Sequence, residues 1–442
     1  MLRRRFVNLV AQNSDGVYSL RRIEAAKHLF YPSIKEAEES ANDEKKKYKT
    51  LRRLPDPITS FDPSPVGVLF PGLEWFELLA PRSGEGQIVS SNKAGDTVMF
   101  DADKSLYLTL PNLYQAKGTS PVSFSVTHPG SGQDSLYVLH RYPGQAVAQA
   151  RFLPDRSEYP PSCFEVLEYR ALSNDVRDPI KGWDWRLLPP PPFVRQPGYR
   201  PSMINSHTTI KDANGCTTIC ISSDKIGTYC FDTWCFDSTH HLGWKHLDVW
   251  KQVGEWELPF YGRAEHVPEL GIWLGFTAGR KPHHLCAVDL STMDMDGQAP
   301  TWQHVWDNAT LPGEKNWYPL LFRLINMGDN RFCVAKLFGD DEMGKQFAVL
   351  TGVEMERGQD GLRMVQHKRT RYVFNDIAVK DQLNLSQSLL GKAAESSDSG
   401  AASGLRSPSR VEEMMGRLRL TEVEAQPIVL DDAEEDDLVP PE

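Results

Sequence analysis

The chain has 442 residues, 40% apolar and 10% aromatic, with a formal net charge of −10. That length and apolar content suffice to bury a sizeable core. The acidic balance excludes the basic stripe that a nucleic-acid footprint needs, and no run approaches the roughly 18 apolar residues of a membrane-spanning helix. Neither nucleic acid nor membrane is therefore expected as a partner. The seven cysteines are odd in number and sit in apolar runs, which reads as reduced, buried thiols.

The first residues, Met1 to Val10, are basic but lack the apolar stretch and small-residue cleavage site of a targeting segment. Phe6 to Val10 reads as a strand instead, and residues 1–24 as strands that complete a larger ring. Residues 25–65 form a charged insertion, helical or flexible, in which Glu36-Ala-Glu-Glu39 and Lys45-Lys-Lys47 alternate in sign. From 66 to 379 the chain is a succession of four- to seven-residue runs rich in Val, Ile, Phe, Tyr and Trp, broken by Gly, Asp and Asn, which predicts strands and turns. The runs fall into sets of about four. One set holds Glu74 to Leu79, Gly86 to Ser91, Thr97 to Phe100 and Leu106 to Leu110; the next holds Val122 to Val126, Ser135 to Leu139, Cys163 to Tyr169 and Trp183 to Leu188. Further sets span Ile204 to Phe260, Ala264 to Trp306 and Tyr318 to Val365. Residues 380–442 turn to Ser, Gly, Ala, Asp and Glu and predict a disordered acidic tail, with partial helical periodicity over Val411 to Leu420.

Two signals repeat. Ile88-Val-Ser-Ser-Asn-Lys-Ala-Gly-Asp-Thr-Val-Met-Phe-Asp101 reappears, shortened, as Ile221-Ser-Ser-Asp-Lys-Ile-Gly-Thr-Tyr-Cys-Phe-Asp232. Each reads as strand, polar turn and strand. Four sets also close on Leu-Pro, at Pro111, Pro189, Pro259 and Pro312, three of them with a tryptophan shortly before, at Trp185, Trp256 and Trp306. Proline cannot donate to a ladder, so it marks the end of an outer strand. Internal repetition of this kind is the mark of a repeat architecture. The expected fold is all-β: a β-propeller of five or six four-stranded blades. The polyproline run Pro189 to Pro192 reads as a stiff loop at a strand exit, ahead of a partner ligand.

Chemical motifs are sparse. No nucleophile elbow, His-Glu-x-x-His, phosphate loop or dinucleotide fingerprint occurs, so no catalytic residue, cofactor or binding residue is assigned. Cys216, Cys220, Cys230, Cys235, His240, His241 and His246 cluster in sequence, yet Cys216 and Cys220 on one strand stand about 13 Å apart at 3.3 Å per residue. No metal site is assigned to them. His283-His284 reads as a surface turn. Glu265 and Asp212 are conceivable channel-facing acids, although acids beside turns are mostly caps. Ser407 and Ser409 in the tail are candidate phosphorylation sites.

Arg5-Phe-Val-Asn-Leu-Val10, Val17-Tyr-Ser-Leu20, His28-Leu-Phe-Tyr-Pro32, Lys181-Gly-Trp-Asp-Trp-Arg186 and Gly262-Arg-Ala-Glu-His-Val-Pro-Glu-Leu-Gly271 together resemble a large plant family of uncharacterised proteins, expanded in grasses. Arg331 to Lys336 and Phe347 to Glu354 fit it as well, so the resemblance covers about residues 1 to 374. It implies a kelch-type strand order and an intracellular protein of the cytoplasm or nucleus, and it carries no catalytic residues. The functional expectation is a non-catalytic protein–protein interaction module, engaging another protein through a propeller face or the acidic tail. The alternatives are a propeller enzyme of glycosidase or oxidase type, with its site at the channel mouth, and an adaptor that acts through its tail.

Overall fold

The computed structural model describes residues 4–13, 17–41, 51–61, 73–79, 86–129, 131–145, 162–172, 180–233, 249–279, 284–291, 293, 299–306, 317–340, 345–358, 361–374 and 377–378. All of these lie in the first of two compact units, Met1–Ala393 and Ala394–Glu442. The charged tail, with Ser407 and Ser409, falls outside the described residues.

The described chain is nearly all β. It opens with β1 (Phe6–Asn13) and β2 (Tyr18–Glu24), followed by two short helices, α1 (Ala25–His28) and α2 (Ile34–Glu39), and the short strands β3 (Leu51–Arg53) and β4 (Thr59–Phe61). Next comes an antiparallel sheet of β5 (Leu73–Leu78), β6 (Gln87–Asn92), β7 (Thr97–Asp101) and β8 (Leu106–Leu110), and then one of β9 (Val122–Thr127), β10 (Asp134–Leu139), β11 (Phe164–Ala171) and β12 (Lys181–Leu187). An eight-stranded sheet holds β13 (Ile204–Lys211), β14 (Thr217–Ser223), β15 (Gly227–Asp232) and β16 (Trp250–Gly254), with β17 (Phe260–Val267), β18 (Ile272–Thr277), β19 (Leu285–Val288) and β20 (Trp302–Trp306). It consists of two four-stranded meanders joined where β13 and β17 run parallel, Ser206 beside Gly262 and His207 beside Arg263. The long strands β21 (Trp317–Gly328), β22 (Arg331–Asp340), β23 (Lys345–Gly358) and β24 (Gly361–Phe374) form the next sheet, with β3 added in parallel to β24. Finally β25 (Ile377–Ala378) pairs with β1, giving a sheet ordered β25-β1-β2-β4.

The repeated sequence signal has a structural counterpart. Both copies are the hairpin between second and third strands of a meander: β6 with β7, and β14 with β15. In the first, the Asn92 side chain accepts from the backbone N–H of Ala94 and Asp96, and Gly95 takes φ +86°. The second, shorter loop turns through Lys225 and Gly227 at φ +60° and +91°, where the tight reversal favours glycine.

Burial follows position within each meander. Every residue of β10 and of β18 is buried, because these second strands are covered on both faces; their sequences are continuous rather than alternating runs. The fourth strands β8 and β20 are mostly exposed. Among the described residues, six apolar clusters join one sheet to the next. They link the β1 sheet to β5–β8 (Val10, Tyr18, Phe76, Phe100), β5–β8 to β9–β12 (Trp75, Val89, Leu136, Trp185), and β9–β12 to β13–β16 (Phe124, Phe164, Phe231, Trp250). The series continues from β13–β16 to β17–β20 (Cys220, Phe260, Trp273), and from there to β21–β24 (Leu274, Phe276, Phe332). The last cluster returns from β21–β24 to the β1 sheet through Val7, Ile23, Met327 and Tyr372. The series closes on itself.

Tryptophans tie the same sheets together. Trp250 Nε1 of β16 donates to the Pro189 carbonyl at 2.9 Å, and Trp302 Nε1 of β20 to the Pro259 carbonyl at 2.8 Å. Trp185 Nε1 of β12 reaches Thr97 Oγ1 at 3.2 Å, which itself donates to the Pro111 carbonyl at 2.5 Å. In each case the fourth strand of one meander is bonded to the Leu-Pro end of the preceding one. The polyproline run is therefore part of the packing: Pro190 and Pro191 are buried, and Pro192 opens a short 3-10 turn to Arg195.

One expectation about thiols is corrected. Cys220 and Cys230 lie opposite each other in the β14–β15 register, Cα to Cα 4.3 Å, and are joined as a disulfide. Cys163, Cys216, Cys286 and Cys333 are free.

Candidate functional site

The first strand of each meander mixes apolar residues with polar ones, and several of those polar groups meet in one cavity of about 110 Å³. Asn8 comes from β1, Glu77 from β5, Ser123 and Ser125 from β9, His207 from β13, Arg263 and Glu265 from β17, and Arg323 from β21. Arg4, just before β1, and Arg141, just after β10, complete the charged lining. A cavity of this size has room for several waters or a small organic anion.

Local backbone geometry sets the arginines. The pairing of β17 with β18 shifts register between Tyr261 and Glu265, and Gly262 within that bulge takes φ +73°. Bulges re-aim side chains where a regular ladder would not. Arg263 and Glu265 thus both reach the cavity, and Arg263 Nε binds Glu265 Oε1 at 2.7 Å. Arg323 Nη1 lies 3.6 Å from where a Cβ at Gly262 would stand, so its guanidinium rests against the bulge. β21 itself shifts register on both sides of Arg323, near Pro319 and near Asn326.

The electrostatics are lopsided. Four arginines face two glutamates in this lining, inside a chain whose overall charge is −10. Burial pushes the Glu77 carboxyl up to about 7, against the pull of a Ser123 hydrogen bond and of the Arg263 and Arg323 charges. Burial, followed by the charges of Arg141, Arg263 and Arg323, holds His207 well below the usual histidine range, so its imidazole is neutral. Burial and the neighbouring Arg323 bring Arg141 down to about 10, still protonated near neutrality. His207 is 6% exposed, and its Nδ1 has no hydrogen-bond partner. The Arg141 guanidinium makes no hydrogen bond or ion pair to any described residue.

Of the residues the sequence singled out, Glu265 lines this cavity. Asp212 does not: its Oδ1 accepts from the backbone N–H of Asn214 and Cys216, closing a turn. Cys235, His240, His241, His246 and His283 lie outside the described residues. Among the described residues no group of His, Cys, Asp and Glu gathers in a metal-holding arrangement. Glu77, Arg141, His207 and Arg323 were not singled out, although a signal existed. Each charged or ionisable residue interrupting the first apolar run of a set (Trp-Phe-Glu77, Leu-Phe-Arg323) is a candidate to face the place where first strands meet.

With this geometry in hand, the chain matches, over residues 4–372, the family described as "Protein of unknown function (DUF1668)". It belongs to that family. No curated protein matches it. Among solved structures, one match is a candidate exo-β-1,3-galactanase from Bifidobacterium bifidum s17, with TM-score 0.29 and 11% identity, covering 63% of this chain and 86% of that one. A likeness at that score carries no argument about chemistry. The DUF1668 span contains every cavity residue named above, from Arg4 to Arg323.

Proposed function

We propose that this DUF1668 protein is a six-bladed, kelch-like β-propeller serving as a non-catalytic interaction module, which docks a protein partner on the face where the central cavity opens. The six inter-sheet cores that close into a cycle support the ring, each meander being one blade that needs neighbours on both faces. The observation that carries the binding role is the excess of four arginines over two glutamates in the lining. Arginine keeps its proton in proteins, so it holds and orients a ligand rather than shuttling protons.

The test is affinity capture with the full chain, with a chain ending at residue 379, and with full-length Arg141→Glu. A partner kept by the shortened chain and lost by Arg141→Glu supports the reading. A partner lost only on shortening moves recognition to the tail, and failure of all three to capture a partner removes the reading.

A second reading has one specific observation in its favour. Glu77 is held near 7 while Glu265, in the same cavity, is ion-paired to Arg263. A protonated and an ionised carboxyl in one site is the division of labour in glycoside hydrolysis. Release of 4-nitrophenol from 4-nitrophenyl glycosides, abolished in Glu77→Gln, would establish it.

A further inference from the structure

We propose that the central cavity is a specific binding site for an oxyanion of carboxylate or phosphate type, gripped by Arg141 and Arg323. The inference names the ligand chemistry of the cavity and rests on the reading above only for the ring that brings the arginines together.

The physical argument begins with cost. Bringing like charges into a space with little water is unfavourable, and a fold retains such an arrangement where something compensates it. Here Glu265 compensates Arg263 at 2.7 Å. Arg141 has no such partner among the described residues and faces Arg323, whose charge lowers its proton affinity. An entering anion supplies the missing compensation, and the guanidinium fork matches the two oxygens of a carboxylate or phosphate edge. The neutral His207 beside them, 6% exposed with Nδ1 unpartnered, adds hydrogen-bonding capacity without charge. Glu77 is the group that would oppose an anion, and it opposes least while protonated. Ser123, which hydrogen-bonds it, and Arg263 and Arg323 face it from the neighbouring strands, with Glu265, Arg4 and Arg141 around the rest of the cavity. The site therefore favours anion entry with a proton resident on Glu77, and affinity falls as pH rises through about 7.

The anion has two sources that share this chemistry: a free small acid, or an acidic side chain borne by a bound peptide. The experiment follows the melting temperature of the full-length protein with 10 mM sodium phosphate, 10 mM sodium succinate, or an acetylated tetraglutamate peptide. Sodium chloride at matched ionic strength is the reference in each case. An excess of ligand near 100-fold over Kd shifts Tm by several degrees for a domain of this size. The expected result is such a rise over chloride at pH 6, smaller at pH 8, absent in Arg141→Gln and retained in the control Arg363→Gln. Arg363 is paired with Glu38 and Glu356 far from the cavity lining. Response to phosphate or succinate identifies a free acid as sufficient; response to the peptide alone identifies a partner's side chain.

No rise over chloride with any probe, or an equal rise in Arg141→Gln, overturns the proposal. If Arg141→Gln does not fold, phosphorus NMR line broadening of phosphate by the wild-type protein, reversed by succinate, tests the same point. Anion binding with no captured partner would sink the interaction-module reading and leave the site standing. A captured partner that depends on Arg141, with no rise in Tm from any of the anions, would do the reverse.

Discussion

Arg141 and Glu77 show how far single residues in this cavity depart from what their surroundings would choose for stability alone. Arg141 is crowded by Arg323 and balanced by no carboxylate among the described residues. Replacing it by glutamine should stabilise the anion-free protein by about 1 kcal/mol, as removal of unfavourable charge at a functional site commonly does. Urea denaturation in chloride buffer measures this, and a loss of stability would mean that the guanidinium is compensated after all. Glu77 gives a pH signature. Its folded value of about 7 lies above the 4.5 of the unfolded chain, so the native state binds more protons between those values. Stability from this group is full at low pH and is lost as pH rises through the window, by at most about 3 kcal/mol at 1.36 kcal/mol per unit. His207 acts with the opposite sign, losing stability as pH falls below its usual range. The clean measurement is therefore the difference between wild type and Glu77→Gln: near zero at pH 4.5 and growing in favour of the glutamine variant up to pH 8. These residues were only partly legible beforehand. Glu265 stood out as an acid at a strand start, whereas Arg141 and Arg323 come from elements whose meeting depends on closure of the whole series of sheets.

At the scale of elements, the Leu-Pro endings were visible in the sequence as strand terminators, and their second role was not. A proline-terminated strand leaves a carbonyl without a ladder partner, and the next meander supplies a tryptophan N–H to it. Trp256 and Trp306 preceded prolines in the sequence, yet the bonded rings are Trp250 and Trp302. Trp250 and Trp256, like Trp302 and Trp306, lie close together in sequence, and spacing does not say which one points across to the neighbouring sheet. Trp302→Phe keeps an aromatic ring and removes the donor together with part of the ring area. Because Trp302 is 47% exposed, its loss should cost about 0.5–1 kcal/mol, read as a small fall in Tm with an unchanged far-ultraviolet dichroism spectrum.

A second tie between elements is stronger. Lys117 Nζ is fully buried against the Glu165 carboxylate of β11 and also donates to the Gln115 and Ser162 carbonyls. Glu165 in turn accepts from the backbone N–H of Tyr114 and Gln115. This clip fastens the loop after β8 to the next sheet. Lys117→Met strands the carboxylate and should cost about 3–5 kcal/mol, whereas the double variant Lys117→Met, Glu165→Leu should recover much of that loss. Equal stability of the two variants would count against the charge argument.

For the molecule as a whole, the all-β class was legible because period-two runs and turn residues are local signals, and the twin hairpins at Ile88 and Ile221 were legible because they are near copies. What escaped were the relations between distant segments. Cys220 and Cys230 sit ten residues apart, and only the β14–β15 register sets them face to face. The cavity is more distributed still, with polar and charged residues spread from Arg4 to Arg323. Diverged repeats keep the apolar pattern that each sheet-to-sheet interface demands and let the polar positions differ, so the site is the part that repetition does not reveal.

The return of the final core to the first sheet sets a schedule for biosynthesis. Val7 and Ile23 leave the ribosome early, yet the residues they pack on, from Met327 to Tyr372, are made roughly 350 codons later, or about 20–70 s at 5–20 residues per second. Throughout that interval the nascent chain carries an apolar flank and an unpaired strand edge with no native cover, while the intervening sheets can already dock on one another in order of synthesis. The β1–β2 hairpin can thus seat one flank on β5–β8 soon after synthesis, while its other flank is covered only when β21–β24 are complete. Slow codons before residue 372 would lengthen the exposure of that second flank without altering a single contact in the finished protein.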